Sequence, residues 1–203
     1  MPVMSNIRLI IADDSRLFRE GLRQICEQAG YEVAEIGTGQ NLMESACRIK
    51  PDVILMDAVQ NNVRIISDLA GNLPKTKIIL LTSSFQDEAV FEAIKAGAYG
   101  CLPRNICARE LTERIYAAYS EEPWIFPDIA DKMIKEFSRS SLRVDLTKNA
   151  ERLTHEEMEV LGMIADGLGK KTAADRIRKS EEAVTEILNG VIRKLRANLD
   201  IFE

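Results

Sequence analysis

Apolar runs and amphipathic stretches alternate through the first 120 residues. The segments IRLIIA (7–12), YEVAEI (31–36), DVILM (52–56), KIILLT (77–82) and GCL (100–102) read as five strands. Val53 to Met56 is apolar without alternation, the pattern of a strand covered on both faces of a parallel sheet. Residues 16–28, 42–50, 63–72 and 87–96 carry helical spacing between the strands, and 108–119 follows the last one. Gly30 and Gly97 fall just past two of these stretches, where helix C-caps are expected. Strands alternating with helices in this way predict an α/β fold, a five-stranded doubly wound parallel sheet with helices on both faces.

After Pro127 the pattern changes. Residues 128–137 (DIADKMIKEF) have helical spacing, whereas 138–150 (SRSSLRVDLTKNA) are polar and aperiodic. From Glu151 onward everything is helical, and about 50 residues of helix suggest a compact three-helix module. The expected organisation is a first domain over 1–122, a linker with a helix over 123–150, and a small all-α domain over 151–203.

Composition excludes more than it assigns. Apolar residues make up 46% and charged residues 29% of the 203, an ordinary globular balance. A net charge of −5 offers no global field for nucleic acid, so any such contact needs a local patch. Cys26, Cys47, Cys101 and Cys107 form no CxxC pair, and the single His155 completes no zinc-finger spacing. No apolar stretch approaches 18 residues and residues 1–6 lack a signal-peptide core, so the expectation is a cytoplasmic protein without membrane contact.

The chemistry gathers at the strand ends. Strand one runs into Asp13 and Asp14, strand three into Asp57, strand four into Thr82, Ser83 and Ser84, and strand five leads to Arg104. In doubly wound sheets ligands bind outside the carboxyl ends of the strands. Three carboxylates brought together there would repel one another unless a hard cation such as Mg²⁺ stood between them. A hydroxyl and a cationic side chain opposite suit an incoming phosphoryl group.

The stretches IIADDSRLFREGLRQI, KPDVILMD, IILLTS and AGAYGCLPR resemble the receiver domain of two-component response regulators over about residues 7–120. The resemblance implies a flavodoxin-like sheet and Asp57 as the phosphoacceptor, charged by a sensor histidine kinase. It further implies that Asp13, Asp14 and Asp57 hold Mg²⁺, with Thr82 and Arg104 contacting the phosphoryl group. Three departures stand out: Arg104 replaces the family's usual lysine, Cys101 replaces the aromatic residue that commonly reports phosphorylation, and AVQNNVR (58–64) lacks the usual proline and glycines of the acceptor loop. A hydrolase or flavin carrier on the same sheet is disfavoured, because Val59 stands where a second acid is needed and no Gly-rich phosphate loop exists. The protein is not expected to be an enzyme.

In the C-terminal segment, Thr154 and Glu157 have capping-box spacing and Ser180 precedes the last helix as an N-cap. LTHEEMEVLGMIADGL, KSEEAV and RKL are similar to the helix-turn-helix output domain of the LuxR/FixJ (NarL-type) regulators. The similarity implies binding to duplex DNA, pairing of two copies, and a contact set of Lys170, Lys171, Lys179, Val184, Thr185, Arg193 and Lys194. Yet residues 151–203 carry nine Lys and Arg against eleven Asp and Glu, a net of −2, which is a weak footprint for phosphate contacts. Thr185, Ile187 and Gly190 occupy positions where the family usually has Lys, His and Asn. Two readings follow: a DNA-binding regulator of transcription switched at Asp57, or an atypical relative acting by protein–protein contact or by binding DNA without phosphorylation.

Overall fold

The computed structural model describes residues 7–37, 42–58, 63–85, 88–142 and 152–197. They fall into two compact units, one within residues 1–122 and one within 123–203. Among them no helix is long and apolar enough to cross a membrane.

The first unit alternates β1 (Arg8–Ala12), α1 (Arg16–Gln28), β2 (Glu32–Gly37), α2 (Leu42–Ile49), β3 (Val53–Asp57), α3 (Val63–Asn72), β4 (Lys77–Thr82), α4 (Glu88–Lys95), β5 (Gly100–Pro103) and α5 (Ala108–Tyr119). The strands pair in parallel in the order β2-β1-β3-β4-β5. That order reverses direction between β1 and β3, and a crevice opens at their carboxyl ends. Ile10, Ile11, Ile54, Leu55, Ile79 and Leu80 are fully buried, which explains why the middle strands read as uninterrupted apolar runs.

The strand ends differ from the sequence expectation by one residue in places. β3 includes Asp57, paired in register with Leu81, so the acid is part of the ladder instead of following it. Lys50, expected within α2, has left the helix at a φ of 51°. The glycine stop at Gly97 has two causes. Its φ is 120°, and a Cβ there would lie 2.6 Å from the Ala70 Cβ, so the turn after α4 packs against α3 only without a side chain. The expected start of α4 at Asp87 and the loop around Val59, Asn61 and Asn62 lie outside the described residues.

The second unit contains α6 (Pro127–Leu142), α7 (His155–Ala165), α8 (Lys170–Ile177) and α9 (Glu181–Ala197). α6 runs five residues further than its periodicity predicts. The Ser138 hydroxyl donates to the Ile134 carbonyl one turn back, which lets a polar serine continue the helix. Ile129, Ala130, Met133 and Phe137 are buried on one face of α6, which packs on α7. α8 and α9 are joined by three residues, with Arg178 at a φ of 57° turning the chain and the Ser180 hydroxyl capping the Ala183 N–H. Val160, Leu161, Ile164, Ala173, Ala174, Val184, Leu188 and Val191 fill the core between α7, α8 and α9.

Candidate phosphoacceptor pocket and helix-turn-helix surface

Four neighbouring strands deliver one side chain each to the same crevice. Ala12 pairs with Met56, Asp57 with Leu81 and Thr82 with Pro103, so Asp13, Asp57, Thr82 and Arg104 emerge at one level of the sheet. The Arg104 backbone N–H donates to the Thr82 carbonyl at 2.8 Å, extending the ladder one residue past β5. The guanidinium then reaches back across the crevice: Nη1 lies 2.7 Å from Asp13 Oδ2 and 3.1 Å from Asp57 Oδ2. Its Cζ sits over the Phe18 ring, 4.1 Å from the centroid. Burial alone would pull the Arg104 pKa down, but hydrogen bonds and charge from Asp13 and Asp57 outweigh it and raise it. Arg104 is a permanent cation here.

Asp13 is held from every side. Its Oδ1 accepts the Ser15 N–H at 2.8 Å, its Oδ2 takes Arg104, and its main-chain carbonyl accepts from Arg19 Nη1. Ser15 caps α1 by accepting the Phe18 N–H, so one helix start positions Asp13, Phe18 and Arg19 together. Asp14 is exposed, in contrast to Asp13, which is 4% exposed. Thr82 is also buried, and its hydroxyl closes on the next turn, donating to the Ser84 carbonyl at 2.9 Å and accepting the Ser84 N–H at 3.1 Å. The pocket therefore gathers Asp13, Asp57 and Arg104, leaves Asp14 in solvent, and turns the Thr82 hydroxyl onto the backbone.

Among the described residues no group of three Asp, Glu, His or Cys is placed to hold a metal ion. Of the expected trio, Asp13 and Asp57 share the Arg104 guanidinium, and Asp14 is exposed. Phe18, Ser15 and Arg19 are parts of the pocket that sequence reasoning missed. Ser15 after Asp13-Asp14 is a visible N-cap signal, but nothing local links Phe18 to an arginine 86 positions away. Cys101, at the position of the family's reporting aromatic, is 2% exposed, and burial pushes its thiol up to about 12. It packs as core.

In the second unit α8 and α9 present the expected contact residues unequally. Lys171, Lys179 and Arg193 are exposed, and Lys170 and Thr185 are half-buried. Lys179 pairs with Glu156 at 2.5 Å. Val184 is fully buried and cannot reach a base edge; it belongs to the apolar face of α9. Lys194 is likewise withdrawn, its Nζ lying 2.7 Å from Glu157 Oε2 and 3.1 Å from the Arg152 carbonyl. Glu157 completes the capping box of α7, accepting the Thr154 N–H at 2.7 Å while the Thr154 hydroxyl accepts its own N–H. Gly190 leaves room for that carboxylate: a Cβ there would stand 3.3 Å from Glu157 Oε1. Glu181, Glu182, Glu186 and Asn189 are exposed on α9 beside Arg193, so its solvent face is more acidic than basic.

Comparison with known proteins agrees with this architecture. Residues 9–116 match the response regulator receiver domain. The chain is 35% identical to the uncharacterized transcriptional regulatory protein YxjL of Bacillus subtilis, over 94% of this chain and 90% of the relative. It is 31% identical to the transcriptional regulatory protein LiaR of the same organism, over 93% and 90%. A two-component response regulator of the LuxR family from Aurantimonas superposes with a TM-score of 0.56 at 25% identity, covering 65% of this chain and 98% of that one. The RcsB response regulator of Salmonella typhimurium shares the fold over 95% and 93% of the two chains, with a TM-score of 0.54 at 20% identity. Matched over more than half its length by the receiver domain and along nearly all of it by such regulators, the chain belongs to the response regulators, with a receiver domain followed by a small helical output domain.

Proposed function

We propose that this response regulator is phosphorylated on Asp57 by a partner histidine kinase and controls transcription by binding duplex DNA through its C-terminal helix-turn-helix. The observation that carries the acceptor role is the position of Asp57, the last residue of β3, with a half-buried carboxylate beside a permanent cation. In the transfer an Asp57 carboxylate oxygen forms a P–O bond as the P–N bond of the kinase phosphohistidine breaks, and the departing imidazole takes up a proton. The Arg104 fork is then within reach of the new phosphoryl oxygens, a geometry guanidinium suits better than ammonium. The Thr82 hydroxyl must leave the Ser84 backbone to take part. This chemistry modifies the protein itself and does not turn over a substrate.

Receiver domains typically bind Mg²⁺ at the phosphorylation site. The donors here are the hard oxygens that ion prefers, but both oxygens of Asp13 already accept hydrogen bonds and Asp14 is exposed to solvent. The residues as arranged do not fit the ion, and no step above passes through it. The direct test is incubation with a small phosphodonor such as acetyl phosphate, read by intact mass. A phosphoryl-sized gain that disappears in Asp57→Asn is expected; labelling that survives the substitution, or none at all, overturns the acceptor role.

A second reading, output through protein–protein contact, is favoured by the acidic solvent face of α9 and by the withdrawal of Val184 and Lys194. Salt dependence of duplex binding separates the two. With Lys170, Lys171, Lys179 and Arg193 as the phosphate contacts, log K should fall against log salt with a slope of about −3 to −4. Absence of duplex binding at low salt would favour protein–protein output instead.

A further inference from the structure

We propose that Arg104 is the resident cation of the acceptor pocket and that it shuts Mg²⁺ out by holding Asp13 and Asp57 on a single guanidinium. The arginine is fixed at four points. Its backbone N–H is bonded to the Thr82 carbonyl, Nη1 reaches Asp13 Oδ2 and Asp57 Oδ2, and its Cζ lies over the Phe18 ring. A guanidinium is planar, weakly hydrated and suited to stacking, so each of these contacts fits arginine better than lysine.

Asp13 is committed to that arrangement, and Asp57 Oδ2 shares the same Nη1. The Asp13 side chain is 2% exposed, with one oxygen on Arg104 and the other on the Ser15 N–H. Turning it toward a metal would break both bonds inside a packed crevice. Mg²⁺ demands near-octahedral oxygen ligands and sheds its waters reluctantly, so an ion arriving here must evict the guanidinium first. Coexistence is opposed as well, because a divalent ion bridging the same two oxygens would sit next to a fixed positive charge. Asp14 remains available but is exposed and solvated, and one surface carboxylate makes no Mg²⁺ site.

The occlusion itself does not depend on phosphorylation. Its consequence, that Asp57 takes up a phosphoryl group as well in EDTA as in Mg²⁺, rests on the acceptor reading above. The test therefore contains no phosphodonor. Mg²⁺ is titrated calorimetrically into the full chain, and melting is compared in EDTA and in about 10 mM Mg²⁺ with ionic strength matched by potassium chloride. The wild type should show no heat of binding and a melting shift under about 1 °C. Arg104→Ala should gain Mg²⁺ binding at least about tenfold tighter than the wild type and a shift of about 4 °C or more. That gain should vanish when Asp13→Asn is added. Arg104→Lys, which keeps the charge but loses the stacked fork, should fall between and serves where the alanine variant does not fold. Submillimolar binding by the wild type overturns the proposal without any variant. So does equal affinity in wild type and variants, failure of every folded variant to gain binding, or a gain that survives Asp13→Asn.

Discussion

Arg104→Ala is expected to destabilise the first unit by about 3 kcal/mol in metal-free buffer, because it leaves two largely buried carboxylates facing one another without their shared cation. Asp13 and Asp57 side chains are 2% and 15% exposed, and Arg104 itself is 23% exposed. Breaking a buried pair from one side leaves uncompensated charge in low dielectric, which is the costly case. The surface pair Arg23–Glu20 gives the contrast: with side chains 46% and 43% exposed, solvent screens it, and its loss should leave the unfolding midpoint nearly unchanged. Stacking on Phe18 adds a second loss at Arg104 that a surface arginine would not suffer. Urea unfolding of the two variants side by side measures the difference, and amide exchange locates it. Faster exchange in β1 and β3, with α7 and α9 unchanged, is the expected pattern. Equal midpoints for Arg104→Ala and Arg23→Ala would mean that the guanidinium balances no buried charge.

The fold was legible because its signals are local or periodic. Uninterrupted apolar runs announced covered strands, and glycines just beyond amphipathic stretches announced helix ends; Gly30 and Gly97 both adopt positive φ. The capping box at Thr154 and Glu157 was legible for the same reason, since its partners are three residues apart. Convergence of Asp13, Asp57, Thr82 and Arg104 followed from one topological rule applied to strand ends. What stayed hidden depends on distance through the chain. The Lys194–Glu157 pair spans 37 positions, and nothing local marks Phe18 as the ring beneath Arg104. Gly190, too, has its reason 33 positions away, in the Glu157 Oε1 that a Cβ there would crowd. Val184 is a different case. It shares one helix face with Leu188, Val191 and Leu195 and is buried with them, so the family's contact pattern and the chain's own periodicity point different ways there. At the C-terminal end of α6, polar composition hid a helix that side-chain-to-backbone bonding sustains.

The clamp between α7 and α9 carries the other large expected effect. Lys194→Met should destabilise the second unit by about 2–3 kcal/mol, keeping the aliphatic stem while removing the charge that balances Glu157. Glu157 and Lys194 side chains are 12% and 17% exposed, so water screens the pair little. Burial would push the Glu157 pKa up, but Lys194 and the Thr154 bonds outweigh it and hold the carboxyl below its ordinary value. A carboxylate with a lowered folded pKa contributes stability that is full above the unfolded value of 4.5 and is lost as pH falls through the folded value. The wild-type second unit should therefore weaken from about pH 4.5 downward, and Lys194→Met should flatten that dependence. The only tryptophan, Trp124, lies in this unit, and its fluorescence follows the urea midpoint at each pH. Adding Glu157→Gln to Lys194→Met distinguishes stranded charge from lost packing. Glutamine still accepts the Thr154 N–H within the capping box, so the double variant should recover about half of the loss. A double variant no better than Lys194→Met would assign the cost to the packing of the lysine stem, and the clamp would be steric, with its charges incidental.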